Sequence, residues 1–400
     1  MNKIIYVILL NLFIFASIAN CDIKSLMESM TVEEKIGQLF MVGGLQKGCN
    51  PEELFGKYHF GNIFLSSMDI GKKNPAEIAE LTNSLQALAE KYNRAIPLLV
   101  ATDQEGGKVN RIRKGAVVYP AQDYIGSKTS LKQAENIARC TAQQLKAVGV
   151  NVNFAPVADI NTNKNSYLAN MGRMFSADPQ KVSDYVIKYI NGHKKEGVIA
   201  CLKHFPGYGD VNPDPHKSLP VTNKTYDELL ECELIPYINA FKKTQVDMLM
   251  TAHIAVPKIT GSQTMPATIA AEIMDDILRN DLEYDGVIVT DDVNMGGIPK
   301  KSGIGSPVVQ CINAGVDIVL FVGREKAQKN AWEAVYSAVK SGEISMVRLN
   351  KSVERILALK YKYAIYKGRY VDINNINSAV NTPKQRKLLI KVGSPRKNRH

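Results

Sequence analysis

A lysine and a histidine follow the apolar run Val198–Leu202, and the chain then breaks into KHFPGYGDVNPDPH, residues 203–216. This stretch has no hydrophobic period of its own. It sets Lys203 and His204 at the end of a strand-like segment, and Asp214 and His216 in a loop rich in Gly, Pro and Asn. Strands that end in long polar loops are the usual carriers of binding and catalytic groups. The arrangement recurs, with Asp103 after LLVAT, His253 after MLMTA and Asp291 after VIVT. One polar residue at a strand end is ordinarily a helix cap; four in register point to a single pocket. Carboxylates and imidazoles together are the groups of proton transfer. A metal hydrolase would want ligand spacing, and the histidines at 59, 193, 204, 216, 253 and 400 form no H-x-H and no H-E-x-x-H. No G-x-G-x-x-G or Walker pattern follows any strand-like run, so a nucleotide site is not indicated.

The strand ends need a frame. Apolar runs at 36–44, 61–67, 96–102, 150–158, 198–204, 247–253, 286–291 and 316–323 read as strands. Between them lie amphipathic helical patterns such as AEIAELTNSLQALAEKY and LKQAENIARCTAQQLKAVG. Thr31-Val-Glu-Glu34 is a capping box, and Gly149 and Gly197 close helices. Strands alternating with helices predict an α/β fold, a TIM-type (β/α)8 barrel in one domain, with an open doubly wound sheet as the alternative. In a barrel, chemistry gathers at the carboxyl ends of the strands, where the polar residues fall. The barrel is expected over residues 22–365, and 366–400 form a basic tail too short for a core of its own.

Several segments together resemble glycoside hydrolase family 3, in particular its β-N-acetylglucosaminidase branch of the peptidoglycan-recycling type. They are MTVEEKIGQLFMVG (30–43), ATDQEGGKVNRI (101–112), NVNFAPVADIN (151–161), GRMFSADP (172–179), KHFPGYGD with DPH (203–216) and GVIVTDDVNM (286–295). The resemblance implies a retaining exo-β-N-acetylglucosaminidase acting on N-acetylglucosamine-terminated glycans or muropeptides, with no cofactor and no metal. Asp291 would be the nucleophile, and Asp292, pointing the other way on a strand, the weaker candidate. His216 would be the acid/base, oriented by Asp214. A carboxylate bonded to one ring nitrogen fixes the tautomer and favours the imidazolium, which suits a group that must give and later take a proton. Asp103, Arg111, Arg173, Lys203 and His204 would bind the sugar, and Gly106 and Gly107 would permit close backbone approach. His253 reads equally as a pocket wall or as a satisfied histidine behind it. The chain departs from the family pattern at Tyr208, where relatives commonly carry His, and at Pro215, where they commonly carry Ser. These departures keep a non-catalytic glycan-binding lipoprotein open as an alternative, beside another family 3 β-glycosidase or a phosphorylase.

The ends of the chain speak to location. Lys3, the apolar IIYVILLNLFIFA and the small-residue exit SIANC make residues 1–20 an export signal. Cleavage after Ala19 competes with a lipobox reading in which Cys21 is lipidated and attaches the protein to the membrane, so an exported, cell-envelope protein is expected. The other five cysteines are scattered singly, which fits buried thiols and leaves room for one disulfide. The net charge of +11 is uneven: from Lys367 to His400 there are nine basic residues and one acid. The body is therefore nearly neutral, which argues against nucleic acid as a partner. A monomer is expected.

Overall fold

Thr31 opens helix α1 (Val32–Gln38), which leads into the first strand, through the capping box read from the sequence. Its side chain accepts from the Glu34 amide, and Glu34 reaches back to the Thr31 amide. The computed structural model describes residues 22–45, 50–211, 218–298 and 305–393. The expected export segment, Cys21, Asp214, Pro215, His216 and the end of the tail lie outside these residues.

Eight strands form one sheet in parallel register: β1 (Phe40–Gly43), β2 (Asn62–Phe64), β3 (Leu99–Thr102), β4 (Val152–Asn153), β5 (Ile199–Phe205), β6 (Met248–Thr251), β7 (Val287–Val289) and β8 (Val319–Val322). β8 pairs with β1, and a parallel bridge between Val289 and Ile318 joins β7 to β8, so the sheet closes on itself. The helices that cross between strands include α2 (Pro51–Gly56), α3 (Pro75–Tyr92), α4 (Leu131–Ala147), α5 (Pro179–Lys195), α6 (Ile235–Lys243), a π-helix α7 (Glu272–Asp281) and α8 (Gly305–Asn313), and α9 (Glu325–Ser341) follows β8. This is the α/β barrel the alternation predicted. α10 (Met346–Lys362) follows, and α11 (Pro383–Val392) lies against α4.

Helix packing follows the apolar stripe. α4 buries Ala134, Ile137, Ala138, Cys140, Thr141, Ala142, Gln144 and Leu145, the i, i+3, i+4 face. It packs on α5 at Gly192, where an added Cβ would lie 2.6 Å from the Ala138 Cβ, so only glycine allows this approach. Beyond Ile365 the chain returns to the barrel. The Asn83 side chain exchanges two hydrogen bonds with the Val371 backbone, and the Tyr119 hydroxyl donates to the Gln385 carbonyl.

Two strand expectations shift. The run 36–44 was read as one strand, but Ile36–Gln38 complete α1 and the strand begins at Phe40. The capping box starts a helix that carries through these residues, and a short apolar run cannot separate a helix end from a buried strand. In 150–158 only Val152–Asn153 pair continuously, because Pro156 has no N–H to give a ladder. Cys140, Cys201, Cys232 and Cys311 are free thiols.

Candidate active site

The carboxyl ends of β3, β5 and β7 surround a cavity of about 440 Å3. Asp103 follows β3 directly. The chain then folds back as a small ribbon, Gln104–Gly106 against Val109–Asn110, which sets Glu105 two residues further on. The ribbon holds its glycines against the chain at Pro120 and Ala121. A Cβ on Gly106, at φ +107°, would sit 2.3 Å from the Pro120 carbonyl oxygen. The close approach expected of the two glycines is therefore made to this neighbouring segment.

Two carboxylates and three cations interlock on one wall. Lys203 Nζ donates to Asp103 Oδ1 at 3.2 Å and lies 2.6 Å from Glu105 Oε1. Arg173 grips Glu105 with both arms of its fork, Nε to Oε2 at 2.9 Å and a terminal nitrogen to Oε1 at 2.8 Å. Arg111 donates to Asp103 Oδ2 at 2.7 Å and to the Ser67 hydroxyl at 3.2 Å. Burial by itself would raise both carboxyls. Lys203 and Arg111 outweigh it for Asp103, Arg173 and Lys203 outweigh it for Glu105, and both stay below the usual carboxylate range. Burial pulls the Lys203 ammonium down, and Glu105 and Asp103 more than restore it. The wall is thus a rigid array of ionised donors and acceptors, suited to the hydroxyls of a sugar.

β5 delivers His204 beside this array. Asp159 Oδ2 accepts from His204 Nδ1 at 2.7 Å, and its other oxygen accepts from the Tyr208 amide at 2.9 Å. The remaining ring nitrogen, Nε2, faces Arg173 at 3.5 Å. With the Nδ1 proton committed to Asp159, Nε2 is the acceptor, turned towards the cavity that His204 lines.

β7 ends at Val289, and Asp291 lines the cavity two residues later. Among the described residues its Oδ1 accepts the amide of Asp292, at 2.8 Å. The Asp292 carboxylate instead accepts from the Asn294 amide at 3.0 Å and the Val322 amide at 2.9 Å, which fastens it to the end of β8. Of the two neighbouring aspartates, Asp291 keeps the less committed carboxylate, as the strand period suggested. His253 is the satisfied histidine of the two readings. Its Nε2–H donates to the Asp292 carbonyl at 3.2 Å, and Nδ1 meets the Thr268 hydroxyl at 2.9 Å. Burial lowers its imidazole, with Asp291 opposing.

Six of the residues picked from the sequence, Asp103, Arg111, Arg173, Lys203, His204 and Asp291, therefore line one cavity. Asp214 and His216 fall outside the described residues. Glu105 and Asp159 were not picked out. The i, i+2 relation of Asp103 and Glu105 was a usable signal, since alternate residues of a strand share a face. Asp159 had none, because its partner lies 45 residues away. A larger cleft of about 560 Å3 opens beside Asp247, Tyr284 and Lys362, next to the amino ends of β6 and β7. Its principal charges are already paired, Lys362 with Asp247 and Arg355 with Asp285, and none of the strand-end residues reaches it.

Comparison with known proteins agrees with this geometry. The profile of the glycosyl hydrolase family 3 N terminal domain matches residues 31–359. The sequence is 33% identical over 356 residues to beta-hexosaminidase A of Pseudoalteromonas piscicida, covering 84% of this chain and 58% of that protein. It is 29% identical over 341 residues to beta-hexosaminidase LpqI of Mycobacterium tuberculosis, covering 83% of each. The fold matches a glycoside hydrolase family 3 beta-N-acetylglucosaminidase from Paenibacillus sp. str. FPU-7 with a TM-score of 0.85 at 34% identity, over 91% of this chain and 68% of that one. The chain thus spans little more than half the length of the Pseudoalteromonas protein. With its barrel closed, its strand-end residues gathered and its sequence matched from residue 31 to 359, the chain belongs to glycosyl hydrolase family 3.

Proposed function

We propose that the protein is a retaining exo-β-N-acetylglucosaminidase that releases terminal β-linked N-acetylglucosamine from peptidoglycan fragments. The observation that carries this reading is Asp291, the less committed of two adjacent carboxylates beyond β7, lining the same cavity as the Asp103, Lys203, Arg173 and His204 array. The names of the Pseudoalteromonas, Mycobacterium and Paenibacillus relatives support the acetamido sugar.

In this reading the Asp291 carboxylate attacks the anomeric carbon as the bond to the leaving oxygen breaks. His216, oriented by Asp214, gives its proton to that oxygen. A water then loses a proton to His216 and attacks the glycosyl-aspartate, which frees Asp291. Asp103, Arg111, Arg173, Lys203 and His204 hold the sugar while its reacting carbon moves between the two groups.

The test is turnover of p-nitrophenyl β-N-acetylglucosaminide against p-nitrophenyl β-glucoside. Wild type is expected to prefer the acetamido sugar, and Asp291→Asn to be inactive on both with its fold intact. His216→Ala should lose most activity on sugar leaving groups and less on nitrophenol, which departs without a proton. A wild type that binds N-acetylglucosamine but turns over neither substrate would replace this reading with that of a glycan-binding protein.

Export to the cell envelope is part of the proposal. The mass of the mature amino terminus tests it: a lipidated Cys21 or a start at Asn20 fits, and a retained Met1 in the native host does not.

A further inference from the structure

Beyond β3 the ribbon that carries Asp103 and Glu105 leaves the sheet, and one side chain holds its backbone there. Asn153, the last residue of β4, is fully buried and does not line the cavity. Its Oδ1 accepts the Gln104 amide at 2.9 Å, and its Nδ2 donates to the Gln104 carbonyl at 3.1 Å. A side-chain amide offers a donor and an acceptor, as a neighbouring strand would, so it satisfies both backbone groups of a buried residue that has left the sheet. Asn153 is itself fixed from α5. Its Nδ2 also donates to His193 Nε2 at 2.9 Å, and His193 Nδ1–H donates to the Tyr189 carbonyl at 2.9 Å.

Gln104 passes this hold on. Its Oε1 accepts the Arg111 and Ile112 amides, each at 3.1 Å, and its Nε2 donates to the Ile112 carbonyl at 2.9 Å. In the chain it stands between Asp103 and Glu105, and Glu105 pairs with Arg173 and Lys203. We propose that Asn153 is a positioning residue of the sugar-binding wall: through Gln104 it sets where Asp103, Glu105 and Arg111 stand, and it touches no substrate itself. This rests on the glycosidase reading above, in which Asp103, Arg111, Arg173 and Lys203 hold the sugar. Hydrogen bonds weaken steeply once distance or angle departs from a narrow range, so a wall that grips hydroxyls has to be held from behind.

The fold supplies its own control. At the opposite end of β3, Gln86 of α3 accepts the Leu98 amide at 2.9 Å and donates to the Leu98 carbonyl at 3.1 Å, away from the cavity. Asn153→Ala and Gln86→Ala therefore delete the same pair of bonds to the backbone. The measurements are KM and kcat on p-nitrophenyl β-N-acetylglucosaminide, the inhibition constant of free N-acetylglucosamine, and thermal midpoints. Both midpoints should fall. Only Asn153→Ala should raise KM and the inhibition constant, by about tenfold, with kcat changed less; a ~1 Å misplacement can cost on the order of 100-fold. Asn153→Asp keeps the size and the acceptor but turns a carboxylate oxygen on the Gln104 carbonyl. It should raise both constants too, and it carries the test if the alanine variant does not fold. Unchanged constants in the variants that fold, or an equal rise in Gln86→Ala, overturn the proposal. A wild type that binds N-acetylglucosamine but turns over no N-acetylglucosaminide ends the glycosidase reading alone. Dissociation constants for N-acetylglucosamine by calorimetry then give the same comparison: weaker binding in the Asn153 variants only supports the positioning role, and equal binding removes it.

Discussion

Asp159 and His204 are joined by a 2.7 Å hydrogen bond beneath the cavity, with both side chains withdrawn from water. The same carboxylate receives the His204 amide at 3.3 Å and the Tyr208 amide at 2.9 Å. One buried acid therefore aims an imidazole, fixes its tautomer and holds the backbone just beyond β5 at Tyr208. Replacing it with Asn puts an NH2 group among donors. Asp159→Asn is expected to lower kcat/KM on the N-acetylglucosaminide about tenfold or more. Asp159→Ala, which strands these donors, should also lose about 1–3 kcal/mol of stability. Steady-state kinetics and denaturant unfolding of both variants check this.

Asp291 and Asp292 should separate cleanly. Asp292 accepts from the Val322 amide at 2.9 Å and ties the end of β7 to β8 where the barrel closes. Asp292→Ala is expected to cost about 1–3 kcal/mol of stability and to leave measurable turnover. Asp291→Asn should keep the thermal midpoint and lose turnover. Melting curves run beside activity assays give both readouts on the same samples.

Glu105 is 2% exposed at its side chain and is held by Arg173 and Lys203 together. Removing one partner of a buried ionic cluster leaves the others uncompensated. Glu105→Ala is expected to destabilise the protein by about 3–5 kcal/mol and to raise KM as the two cations lose their geometry. Glu105→Gln should retain more stability, since it still offers one acceptor. Urea unfolding midpoints will rank the two.

Acid should weaken the fold in two stages. His193 is buried in α5, its Nδ1–H donating to the Tyr189 carbonyl at 2.9 Å and its Nε2 accepting from Asn153 at 2.9 Å. Burial lowers its imidazole to about 4, below the ordinary value near 6.5. The unfolded chain thus takes up a proton between those values while the folded chain does not, so stability is lost as pH falls through that window. Asp103 and Glu105 add a second loss only below about pH 4, because their folded carboxyls sit under the ordinary range. The unfolding free energy should fall from pH 7 to pH 5, and His193→Gln should flatten that slope. Urea titrations at stepped pH test both stages.

The barrel and six of its cavity residues were legible in the primary structure for identifiable reasons. Apolar runs alternate with amphipathic helices, and a polar residue at the carboxyl end of such a run sits at the rim, so Asp103, Lys203, His204 and Asp291 fall in place by position. The short apolar run at 36–44 was less legible. Its first residues complete α1, because a capped helix start outweighs an apolar run that suits either state. Asp159 stayed hidden because a buried acid looks the same in a sequence as a capping one.

Sequence by itself determined the succession of strands and helices, the family to which the chain belongs and the rim positions that carry charge. These follow from periodicity, caps and local motifs, which depend on neighbours a few residues apart. Tertiary structure alone decided which acid orients His204 and that Glu105 is locked between Arg173 and Lys203. Each of these depends on hydrogen bonds between segments brought together by closure of the barrel, and such partnerships have no local pattern to announce them.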